Sequence, residues 1–141
     1  MTNQPPPLAG HDVFSGDRAL AEAVRRHGAG WAEERLRGLG RRAGTAEAIA
    51  WGALAHEFPP RLRTHDRYGN RIDEVEYHAA YHELMRVAVS HGLSAFPSRD
   101  AERGSHVARA AGFFVWSQVE AGHGCPISMT YAAVPAASGR A

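Results

Sequence analysis

The chain has 141 residues and a mass of 15.3 kDa, the size of one ordinary domain around one hydrophobic core. Sixteen basic against fifteen acidic residues leave a formal charge of +1, which excludes a histone-like or polybasic protein and any global field that steers it to nucleic acid or a membrane surface. A single cysteine excludes an intrachain disulfide and a Cys-based zinc site.

The opening segment, residues 1–14, is rich in Pro and short polar residues without periodicity and reads as an extended arm. Ser15 is placed to cap a first helix, with Asp17 in its first turn and Ala19, Leu20, Ala23 and Val24 on one stripe. Trp31, Ala32, Leu36 and Leu39 form a second stripe, and Glu33, Glu34, Arg35, Arg37, Arg41 and Arg42 its solvated side. Thr45 caps a third helix, with Ala46, Ile49, Ala50, Ala53 and Leu54 spaced for burial until Pro59 and Pro60 stop it. Tyr68-Gly69-Asn70 is a turn signal between Arg63–Asp66 and Arg71–Val75, so a small hairpin or long loop is expected there. Helical spacing returns with Tyr77, Tyr81, Leu84, Met85 and Ala88 and ends at Gly92. From Val107 to Val119 the only charge is Arg109, which marks the central buried helix. Pro126 suits the first turn of a last short helix running to Val134, before the tail AASGRA. The fold expected is all-α: six or seven helices around the apolar one, with one small hairpin or loop insertion, residues 15–141 forming the helical domain.

Few of these residues carry chemistry by pattern alone. His78 and His82 are four apart on a predicted helix and could share a metal, but Ala79 stands where an HExxH motif needs Glu. The bordering of an apolar face is the simpler role. Gly38-Leu39-Gly40 with Gly44 lacks both the spacing and the preceding strand of a dinucleotide loop. Cys125, beside Pro126 at a helix start, reads as a small buried hydrophobe. Ser117 and His123 suggest no nucleophile triad. Arg35, Arg37, Arg41 and Arg42 alternate with Glu33 and Glu34 and read as a solvated face, so no nucleic-acid binding is expected through this domain. No run of eighteen apolar residues exists and the start lacks a basic flank and an apolar stretch, so neither a membrane span nor secretion is expected, and a reducing cytoplasm fits.

Longer strings carry a resemblance. Gly28-Ala29-Gly30-Trp31, Gly44-Thr45-Ala46-Glu47, Pro59-Pro60, Asp73 to Met85 and Val107 to Pro135, in that order, resemble the amino-terminal part of AidB-like acyl-CoA dehydrogenases, the alkylation-response branch of that flavoprotein family. The resemblance implies an enzyme of three parts: a helical amino-terminal domain, a β domain and a carboxy-terminal bundle, with FAD between the last two in a homotetramer acting on acyl-CoA. The flavin-contacting segment and the catalytic glutamate belong to parts without counterpart in this sequence. It therefore implies that the chain binds no FAD alone, holds no catalytic residue and is inactive alone. By position, it further implies that Trp116, Ser117 and Glu120 line the deep end of the acyl pocket, with Glu120 expected to pair with an arginine. The alternative is a free-standing helical interaction module without flavin.

Overall fold

The computed structural model describes residues 3–99, 102–137 and 139, and its regular structure begins where a carboxylate can cap a helix. Asp12 accepts from the backbone N–H of Phe14 and Ser15, both at 3.0 Å, and opens the single turn α1 (Val13–Gly16). Asp17 accepts from Leu20 N at 2.9 Å and opens α2 (Arg18–Arg26). The cap is thus Asp17 and not Ser15, whose hydroxyl is itself a donor to Asp12. A 3-10 turn (Gly30–Ala32) leads into α3 (Glu33–Ala43), and Thr45 caps α4 (Ala46–Glu57) as expected, accepting from Ala48 N at 3.1 Å. After the strands β1 (Arg61–His65) and β2 (Arg71–Glu76) come α5 (Ala79–Ser90), the single turn α6 (Phe96–Arg99), α7 (Ser105–Ser117) and α8 (Gly124–Ala137). Six helices of nine residues or more and two single turns thus make up the helical fold among the described residues.

The core lies between α3, α5 and α7, where Leu36, Leu39, Leu84, Ala88, Ala111, Val115 and Trp116 are buried together with Val24 of α2 and Ile127 of α8. Trp116 is 1% exposed and its indole N–H donates to the carbonyl of Leu84 at 3.1 Å, tying α7 to α5. The helix α7 is covered on one side only: Ala110 and Phe114 of its opposite side face outward, Phe114 at 51% exposure. Two stripes read from spacing are turned from their expected faces. In α2, Val24 is buried and Leu20 and Ala21 are half-buried, while Ala19 and Ala23 are exposed. In α4 the buried residues are Ala48 and Gly52, and Ala46, Ala50 and Ala53 are exposed. From Ala48 to Ala55 that helix carries no polar side chain, so its periodicity points nowhere.

Of the segment 1–14, residues 3–9 are exposed and without regular structure, and Met1 and Thr2 lie outside the described residues. Gly10 then donates to the carbonyl of Gly44 at 2.7 Å, and Phe14 is buried against α3. Gly40 makes this docking possible. A Cβ there would stand 2.7 Å from Phe14 N and 2.9 Å from Phe14 Cβ, with an Asp12 carboxylate oxygen still closer.

The antiparallel hairpin pairs Arg61 with Glu76, Leu62 with Val75 and Arg63 with Glu74, and shifts register before His65↔Arg71. Asp66 closes its turn, accepting from Tyr68 N, Asn70 N and Asn70 Nδ2 at 2.8–2.9 Å. Gly69 takes the positive φ of 84° that the turn requires. All residues of both strands are exposed. No helix among the described residues is long and apolar enough to cross a membrane.

Candidate functional site

Pro60 and Tyr77, the residues that flank the hairpin, begin the wall of an open cleft of about 340 Å³, within the range of about 300–1,000 Å³ typical of small-molecule sites. His78 sets the next residue of that wall. Its Nδ1 accepts from Ala80 N at 3.2 Å, so it caps α5 and places Tyr81 in the first turn. The Tyr77 and Tyr81 rings stack with centroids 4.4 Å apart. The facing wall comes from the connection between α7 and α8, with Glu120, Gly122 and His123, and from Cys125, Pro126 and Met129 of α8. The enclosed space between α3, α6 and α7, by contrast, holds about 10 Å³, too little for any ligand beyond a water.

Glu120 organises that connection. Its carboxylate accepts from Gly122 N at 2.5 Å, His123 N at 2.9 Å and His123 Nδ1 at 3.0 Å. Because a carboxylate only accepts, the His123 Nδ1 carries the proton of this bond. Burial opposes ionisation of Glu120, but the donors of His123 and Gly122 outweigh it, and the carboxyl is held below the usual glutamate range. His123 is 2% exposed, with its ring edge-on to Trp116 at 6.3 Å. Burial, together with Tyr77, Glu120 and Cys125, pushes the Tyr81 phenol up.

Of the three residues assigned to a pocket by resemblance, Glu120 lines this cleft, Trp116 lies behind it in the core and Ser117 ends α7, half-buried. Among the described residues the partner of Glu120 is His123 instead of the expected arginine. Two residues after α7 the chain turns back, which brings the acceptor onto its own loop. His78 and His82 are not presented together on one helix face. His78 is the cap and stacks on Phe58, whereas His82 lies edge-on to Tyr77 and Tyr81. Cys125 is exposed at the cleft instead of buried. Gly38, Leu39 and Gly40 lie inside α3. Arg37, Arg41 and Arg42 pair with Glu33, Glu34 and Glu47, and Arg35 donates to the carbonyl of His91. Sequence reasoning missed Tyr77, Tyr81 and Met129 as cleft residues, because their spacing signals a packed face equally well. It also missed the Glu120–His123 pair, for which the i, i+3 spacing was the available signal.

The cleft does not fit a flavin dinucleotide. A diphosphate needs arginines or free backbone N–H groups, and among the described residues no arginine lines this cleft. The backbone donors at its floor are already used: Gly122 and His123 bind Glu120, Gly124 bonds to Ala121 O and Cys125 to Gly122 O.

The model of the adaptive response protein AidB N-terminal domain matches residues 3–141. The putative acyl-CoA dehydrogenase AidB of Escherichia coli is 45% identical over 134 residues, which are 94% of this chain and 25% of that protein. Among solved structures, the apo form of Bd2924 aligns with a TM-score of 0.82 at 27% identity, covering 94% of this chain and 27% of that one. Caenorhabditis elegans ACDH-11 in complex with C11-CoA aligns with a TM-score of 0.79 over 95% of this chain and 24% of its own, at 23% identity, a likeness of fold. The chain thus spans about a quarter of the length of these relatives. With the sequence match running from end to end over the helical fold described above, the chain belongs to the family of AidB amino-terminal domains, the first part of acyl-CoA dehydrogenase-like proteins.

Proposed function

We propose that the chain walls the acyl pocket of an FAD-dependent, cytoplasmic acyl-CoA dehydrogenase of the alkylation-response branch, supports its homo-oligomeric assembly, and supplies no redox chemistry itself. Trp116 and Ser117 back this wall and Glu120 faces the pocket. The flavin and the catalytic base come from further parts of the longer protein. The chemistry that FAD would supply in those parts is hydride acceptance from an acyl-CoA, while this chain's residues shape and dry the cavity for the acyl group.

The observation that carries this reading is α8. Its fourteen residues, Gly124–Ala137, include no charged side chain, yet only Gly124 and Ile127 are buried and Met129 is 68% exposed. An uncharged helix with one side in water marks a surface that another body covers, and it borders the cleft. The test is photo-crosslinking of the native protein from its source with an acyl-CoA bearing a diazirine on its acyl chain, followed by peptide mapping. Label on the segments around Tyr81 or between Glu120 and Met129 is expected. Label confined to other parts of the protein overturns the reading.

A further inference from the structure

We infer that the cleft between α5 and α8 binds the ammonium end of an aliphatic amine, with its carbon chain lying on Tyr77, Tyr81 and Met129. A start of a long helix normally attracts anions, but here that capacity is spent. The N–H groups of Gly122 and His123 point into Glu120, those of Gly124 and Cys125 into carbonyls of the same loop, and Pro126 has none. The floor therefore presents an acceptor. Glu120 has about four lone-pair sites, and the three bonds it accepts leave room for one further donor.

Among the described residues no arginine lines the cleft, so neither a carboxylate nor a phosphate finds a counter-ion among them there. The Nδ1 proton of His123 is directed at Glu120, and the other titratable groups facing the space are Tyr77, Tyr81 and Cys125. Stacked tyrosine rings and a thioether suit both the methylene stem and the cation, whose charge is attracted to ring faces. The site is a property of this chain whichever longer protein it serves. An acyl group on the wall proposed above either stops short of Glu120 or ends in a hydrogen-bond donor.

The test titrates this chain with n-hexylammonium, 1-hexanol and hexanoate at neutral pH and low salt, read from the Met129 methyl and tyrosine ring resonances. Hexylammonium is expected to bind at least tenfold more tightly than hexanoate, with 1-hexanol between them, and Glu120→Gln is expected to erase that order. Glu120 also holds its loop, so Met129→Arg serves as a second variant: Met129 is an exposed mouth residue, and a cation there is expected to weaken hexylammonium at least tenfold with the helical circular dichroism unchanged. Equal binding of hexanoate, absence of any shift at Met129 and the tyrosines, or hexylammonium binding that survives Met129→Arg overturns the proposal. Failure of the acyl-wall reading would appear separately, in the crosslinking map.

Discussion

Replacing Gly40 by Ala and, separately, Gly38 by Ala places the same methyl group twice in α3 with opposite results. Both changes gain about 1 kcal/mol of helix propensity, because Ala restricts the unfolded backbone and Gly does not. Around Gly38 a Cβ meets nothing within 4 Å, so this gain stands alone and Gly38→Ala is stabilised by about 1 kcal/mol. At Gly40 the methyl meets Phe14 N at 2.7 Å and the Asp12 cap, and backbone cannot rotate away as a side-chain tip can. If α1 stays and strains, overpacking costs about 1–3 kcal/mol. If it lifts off, burial of Phe14 is lost at about 1.5–3 kcal/mol, and the Asp12 cap at about 1 kcal/mol. Net of propensity, Gly40→Ala is destabilised by about 0–2 kcal/mol if α1 strains and by about 1.5–3 kcal/mol if it lifts off, and the two variants differ by about 1–4 kcal/mol. Urea denaturation followed by circular dichroism measures both. Gly40→Ala as stable as Gly38→Ala would refute the close docking of residues 10–14 on α3.

Three further outcomes follow from single contacts. Trp116→Phe keeps a ring in the core but removes the indole donor to the Leu84 carbonyl, which stays in the helix ladder of α5, and is expected to lose about 0.5–1.5 kcal/mol in the same assay; an unchanged midpoint contradicts the α5–α7 tie. Asp66→Ala removes the acceptor of three turn bonds, so amide protection across Arg61–Glu76 should vanish while the global melting temperature moves little. Donation from Asn70 holds the Asp66 carboxyl below its ordinary value, so the turn is fully supported above about pH 4 and is lost as pH falls through the lowered folded value. Glu120, also held low, follows the same sign: its support for the α7–α8 loop is complete above the ordinary glutamate range and fails as pH falls through its folded pKa. Amide exchange of Gly122 and His123 against pH reads this, and a loss on raising pH would contradict it.

Legibility followed the physics of each signal. Thr45 and the Tyr68-Gly69-Asn70 turn were readable because caps and turns depend on adjacent residues. Their contacts span no more than a few positions. The central helix was readable because it carries one charge, but which side it buries was not, since Phe114 and Trp116 are equally apolar and only packing turned one out and the other in. The face of α4 was illegible for the same reason. The cleft depends on Pro60, Tyr81 and Met129 coming together from three elements, which no local spacing encodes. Resemblance supplied what periodicity lacked: it named the family, while the partner of Glu120 had to be found in the fold.

The central claim, that this chain is the helical wall of a flavoenzyme, is tested most directly by the intact mass of the native protein isolated from its source, with its visible absorbance read on the same sample. The account predicts a species several times heavier than 15.3 kDa, yellow, and releasing FAD on denaturation. A colourless 15.3 kDa species would contradict it and leave a free-standing helical interaction module in its place.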